Sequence, residues 1–171
     1  MSAAVCDSGP LTHLWQIQQW PAFAVFSEVH VANQVAVEVR NHVDLDQFMT
    51  MTSCQLALHP VDQAALEKGW NLVGSSDQLQ DADIATLVLA LHLMLPLVLT
   101  DDLALRRALE ELGMMPMGSV GLLLQACAAA LLTAEQLRQA IDDLFVHSTL
   151  YLSPVFRSFV QREVEKALRH R

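Results

Sequence analysis

Two short apolar runs in this chain stop at aspartate. Ala3-Ala4-Val5-Cys6 ends at Asp7, and Leu97-Val98-Leu99-Thr100 ends at Asp101 and Asp102. Neither run alternates polar and apolar positions, which is the pattern of a strand buried on both faces of a parallel sheet. Parallel strands joined by crossover helices open their carboxyl ends into a shared crevice, where ligands bind. If the two strands are neighbours, Asp7 and Asp102 meet there. Gathered carboxylates repel one another, and a divalent cation is the usual remedy.

The rest of the chain alternates strand and helix signals. Residues 2–6 read as a first strand and Val29-His30-Val31 as a second. Pro10 suits an early helix position, and Leu11, Leu14, Trp15 and Ile17 give that helix one apolar face up to Pro21. Asn33 is placed to cap a helix running to about Arg40, with Val35 and Val39 on one face and Glu38 at its edge. Residues 41–79 are the least regular. Within them Asp62 to Lys68 reads as a helix closed by Gly69, Trp70 to Val73 as a strand, and Gly74 to Asp77 as a loop. Ile84 to Met94 is almost wholly apolar, hence a helix buried on most sides, and Pro96 separates it from the strand at 97–100. Leu103 to Leu112 is amphipathic and Gly113 closes it. Met114 to Met117 reads as a last strand, and Gly118 to Gly121 leads into an apolar helix over 122–132. Thr133 and Gln136 form a capping box for a helix from Ala134, and Pro154 opens a final one. Strands alternating with helices indicate an α/β fold, three layers around a central parallel sheet.

At 171 residues the chain fits a single domain with a substantial core, and its 53% hydrophobic content argues against disorder. The net charge of −9 is unsuited to holding nucleic acid on a broad basic surface, and leaves room for a basic partner or a bound metal. The three cysteines, Cys6, Cys54 and Cys127, form no CxxC pair and read as free thiols in a reducing cytoplasm. The seven histidines show no HxxxH pair, which disfavours zinc. The start of the chain lacks the pattern of a signal peptide. The most apolar stretch, Ile84 to Leu99, is shorter than the ~20 residues that span a bilayer, so no membrane association is expected. A phospho-receiver would also gather acids at strand ends but needs a lysine ending a late strand, and neither Lys68 nor Lys166 does so.

Several segments, taken in order, resemble the motifs of PIN-domain proteins. Asp7-Ser8-Gly9-Pro10-Leu11 resembles the opening D-x-S-P-L. Val31 to Val39, with Glu38, resembles V-P-x-x-V-x-x-E-V. Gln80-Asp81-Ala82-Asp83 resembles G-E-A-E, and Leu99-Thr100-Asp101-Asp102 resembles L-T-D-D. Met117-Gly118-Ser119-Val120-Gly121-Leu122-Leu123 resembles I-G-T-L-G-x-L, the glycine-rich segment of a prokaryotic subgroup. The chain departs from the pattern at Gly9 (usually Ser), Ala32 (often Pro) and Gln80 (Gly), and has Asp at 81 and 83 where the family has Glu.

This resemblance implies a single PIN-like domain over residues 1–171, with 41–79 variable and 133–171 forming C-terminal helices. It implies phosphodiester hydrolysis of RNA with Mg²⁺ or Mn²⁺. Carried over residue by residue, the acids are Asp7, Glu38, Asp83 and Asp102, with Asp101 a further metal ligand, Asp81 a neighbour, and Thr100 and Ser119 at the substrate. The physical logic is consistent, since a hard cation wants oxygen ligands and no protein nucleophile is evident. Each acid also has a plainer reading: Asp7, Asp83 and Asp102 as caps, Glu38 as a solvated helix residue. The partners implied are RNA, a basic antitoxin and a second copy of the chain. The competing expectation is a PIN scaffold with a weakened site that acts as a protein-interaction module.

Overall fold

A computed structural model describes residues 2–74, 77–151 and 153–169. In chain order, β1 (Ser2–Cys6) leads into α1 (Ser8–Gln16) and a 3₁₀ segment (Trp20–Val25). Then come β2 (Phe26–Ala32), α2 (Asn33–Val39), α3 (Phe48–Met51), β3 (Gln55–His59), α4 (Gln63–Val73) and α5 (Asp81–Leu93). The second half holds β4 (Leu97–Leu99), α6 (Leu103–Glu111), β5 (Met115–Met117), α7 (Ser119–Ala128), α8 (Ala134–His147) and α9 (Pro154–Arg169).

The five strands form one parallel sheet in the order β3-β2-β1-β4-β5. The chain first travels from β1 outward through β2 to β3, then returns to the other side of β1 as β4 and β5. The order therefore reverses between β1 and β4, with α5 and α7 packing on opposite sides of the sheet. Ala4, Val5 and Cys6 are all fully buried, as a strand covered on both faces must be. The fold is the three-layer α/β/α arrangement expected.

Helix α5 spans β1, β2 and β4 and also packs on α2, α4 and α6. Its residues Ile84, Ala85, Leu87, Leu89 and Ala90 are buried, which is why it shows no polar face. On the other side α7 packs on α1, α8 and the 3₁₀ segment. There Trp20 and Phe23 stack edge-on to Phe48, with ring centroids 5.0 and 5.2 Å apart.

Asn33 begins α2 without capping it, and the apolar helix expected over 122–132 is Ser119–Ala128; the larger differences from expectation lie in residues 41–79. Trp70 to Val73 is not a strand but the last turn of α4, and Gly69 lies inside that helix rather than at its end. The reason is packing. A Cβ on Gly69 would sit 2.5 Å from the methyl carbons of Ile84 and Val88, so glycine lets α4 approach α5 closely. The helix ends at Gly74, whose φ is +73°. Ser75 and Ser76, within the expected loop, lie outside the described residues. The third strand, Gln55–His59, had no expectation against it. As an edge strand it is only partly buried and has no long apolar run.

Candidate functional site

The carboxyl ends of β1 and β4 lie side by side, with Cys6 opposite Leu99 and the Asp7 N–H donating to the Leu99 carbonyl at 2.9 Å. Asp7, Glu38, Asp83 and Asp102 line one open pocket above this point. They come from four places: the end of β1, the last turn of α2, the first turn of α5 and the cap of α6. The order reversal between β1 and β4 is what brings them together.

Asp7 is the buried member, at 3% exposed. Its Oδ2 accepts from the Thr100 hydroxyl at 2.9 Å, and its Oδ1 is buried without a hydrogen-bond partner. Burial, aided by the charges of Asp83 and Glu38, pushes its carboxyl up to about 7, against the pull of the Ser8 N–H and the Thr100 hydroxyl. Asp83 is pushed up to about 6, chiefly by burial, with Asp102 and Glu38 adding to the rise and the Gln80 N–H opposing it. An acidic pocket that raises its own carboxyls in this way attracts protons or cations.

Each of the other three acids uses one oxygen locally. Asp83 Oδ2 accepts from Gln80 N at 2.7 Å in a capping box, Asp102 Oδ1 from Leu105 N at 2.7 Å, and Glu38 Oε1 from the Ser8 hydroxyl at 3.1 Å. The caps expected for Asp83 and Asp102 are therefore present, and they leave the second oxygen of each acid without a described hydrogen bond. The donor set is all oxygen, which suits a hard cation, and the unpartnered Asp7 oxygen is the kind of group a cation would satisfy. Among the described residues, no three His, Cys, Asp or Glu side chains already converge as a ligand set.

Asp101 is engaged differently. Its Oδ1 accepts from Ser119 N at 2.7 Å, and its Oδ2 accepts from the Ser119 hydroxyl at 2.5 Å and lies 2.8 Å from His13 Nδ1. A Cβ on Gly118 would come within 2.7 Å of Asp101 Oδ1, which explains why the segment before α7 needs glycine. Thr100 and Ser119, expected at the substrate, are fully buried, and their hydroxyls go to Asp7 and Asp101. Asp81 is turned away and accepts from Trp70 Nε1 at 2.9 Å.

Besides Gln78, two parts of the pocket wall carried no expectation. One is His13, one helical turn beyond Gly9 on α1; that i, i+4 spacing from the Asp7 turn was the available signal. The other is Thr149 to Tyr151, between α8 and α9. It is held by Thr149 N and Oγ1 donating to Gln16 Oε1 at 2.8 and 3.2 Å. Nothing local in the sequence links it to α1.

A family model described as a PIN domain matches residues 3–166. No curated protein and no solved structure matches the chain. The family match spans nearly the whole chain and agrees with the parallel sheet and with the order of the motifs. PIN domains are generally nucleases, so this is a nuclease-type fold. The chain belongs to the PIN-domain family.

Proposed function

We propose that this protein is a metal-dependent ribonuclease that hydrolyses RNA phosphodiester bonds in the pocket above β1 and β4. The observation that carries this reading is Asp7. It is a buried carboxyl at the order reversal, with one oxygen unpartnered and three further acids around it. Asp7, Glu38, Asp83 and Asp102 would hold Mg²⁺ or Mn²⁺. When bound, such a cation supplies positive charge that activates water and offsets the charge developing on the phosphate oxygens.

The chain's own groups do the positioning. The Thr100 hydroxyl fixes Asp7, and the same oxygen accepts from Asp102 N at 3.1 Å, so one threonine sets two acids. Asp101 already accepts from Ser119 and pairs with His13, so it positions α7 and α1 rather than joining the four. The reading carries RNA as substrate, a basic antitoxin as partner to the acidic chain, a homodimer and a cytoplasmic setting. No described helix is long and apolar enough to cross a membrane. Exposed Val155, Phe156 and Phe159 on α9 supply apolar surface for an assembly.

One observation favours the competing reading, a weakened scaffold that acts as an interaction module. Asp83 and Asp102 each commit one oxygen to the start of their own helix, a capping role that holds with or without a cation. Calorimetric titration with Mn²⁺, followed by incubation with single-stranded RNA, separates the two. Binding and cleavage, both lost in Asp7→Asn, support the nuclease. A folded protein that neither binds Mn²⁺ nor cleaves is the interaction module.

A further inference from the structure

The pocket holds an imidazole whose direction is set from several sides. His13 Nδ1 lies 2.8 Å from Asp101 Oδ2, and the two side chains are only 13% and 8% exposed. Asp101 in turn is held by the backbone and hydroxyl of Ser119 at the start of α7. A Cβ on Gly9 would lie 3.3 Å from Asp101 Cβ, so the backbone of α1 closes directly on this aspartate. Three parts of the fold, α1, the turn after β4 and the start of α7, thus fix one Asp–His pair. A carboxylate accepts, so in the neutral imidazole the Nδ1–H lies on Asp101 and the lone pair lies at Nε2. No hydrogen bond engages Nε2 among the described residues, and His13 lines the pocket with the four acids.

We propose that His13 contacts the substrate, its Nε2 accepting a hydrogen bond from a ribose 2′-hydroxyl next to the phosphate held among the acids; this rests on the ribonuclease reading above. The chemistry selects that group. Phosphate and sugar-ring oxygens are acceptors and cannot pair with a lone pair. Along the sugar–phosphate backbone the donor is the 2′-hydroxyl, which DNA lacks. The contact therefore selects RNA over DNA without reading sequence.

The test scans single 2′-deoxy substitutions through an oligoribonucleotide that the wild type cleaves with Mn²⁺, and repeats the scan with His13→Leu and His13→Gln. One hydrogen bond lost gives the wild type a drop of about fivefold in kcat/KM at one deoxy position. His13→Leu is expected to lose about as much on the all-ribose strand and to show no further loss at that position, the signature of a coupled pair. His13→Gln, whose amide can donate to Asp101 and accept a hydroxyl, should recover part of the loss. If His13→Leu does not fold, His13→Asn, which keeps a donor but is shorter, carries the same expectation. A deoxy effect that persists undiminished without the imidazole overturns the proposal, as does a wild type indifferent to every deoxy position. Sensitivity to the base instead of the sugar at that position also overturns it, since a base N–H would then be the donor. The same strands are measured for binding by fluorescence anisotropy with Ca²⁺ present. A wild type that binds with a His13-dependent deoxy penalty but never cleaves ends the hydrolase reading and leaves this contact standing. One that neither binds nor cleaves ends both.

Discussion

Replacing Asp7 by asparagine separates the electrostatic cost of the acidic pocket from its function. In the folded protein the Asp7 carboxyl sits at about 7, against an ordinary value of 3.8. The folded state therefore keeps a proton that the unfolded chain releases. Stability is greatest at the acidic end and declines as pH rises from the unfolded value through about 7. Full ionisation costs about 4 kcal/mol, of which about 2 kcal/mol is lost between about pH 5.5 and about pH 8. Asp83, raised to about 6, contributes with the same sign. Asparagine carries no charge at any pH, so Asp7→Asn should lose about 2 kcal/mol less than wild type over that window. For a chain of this size the difference amounts to roughly 4–8 °C in melting temperature. The assay is urea and thermal unfolding of both proteins in chelator at the two pH values. Mn²⁺ at millimolar levels should then restore the wild type at the higher pH and do little for the variant, because a ligand of the native state stabilises by mass action. If both proteins lose the same stability over the window, burial does not hold the Asp7 proton and the reasoning fails.

Asp7→Asn and Asp102→Asn should each reduce Mn²⁺-dependent RNA cleavage by well over tenfold while the protein stays folded, measured on a labelled single strand. Wild-type rates in both would remove them from the site. Glu38→Gln should weaken Mn²⁺ binding by calorimetry more than Asp44→Asn, since Asp44 only caps a short 3₁₀ turn through Asp46 N and Gln47; the reverse order would mean α2 is misassigned. Gly69→Ala should destabilise the fold by about 1–3 kcal/mol in urea, because the added methyl meets Ile84 and Val88. An unchanged midpoint would show that α4 can shift without cost.

Much of the frame is local chemistry and legible as such. The runs before Asp7 and Asp101 are strands because small and branched apolar residues without alternation suit only a doubly covered sheet. The caps at Asp102 and Thr133 lie within three residues of the N–H groups they satisfy. Asp7 and Asp102 were likewise visible at the ends of their strands, whereas Glu38 and Asp83 stood out as site acids through the resemblance to the PIN motifs. What the tertiary structure decided is everything that depends on contact between distant segments. Gly69 reads as a helix end until α5 is packed against it. Gln55–His59 becomes a strand because β2 offers an edge, not because its own residues insist on it. Asp101 and Asp102 are adjacent and chemically identical. Both line the pocket, yet one is drawn into a network with Ser119 and His13 while the other caps α6. Local propensity reaches across a few residues, whereas burial, pKa and hydrogen-bond partners are set by what the fold brings from 88 positions away, as with His13 and Asp101.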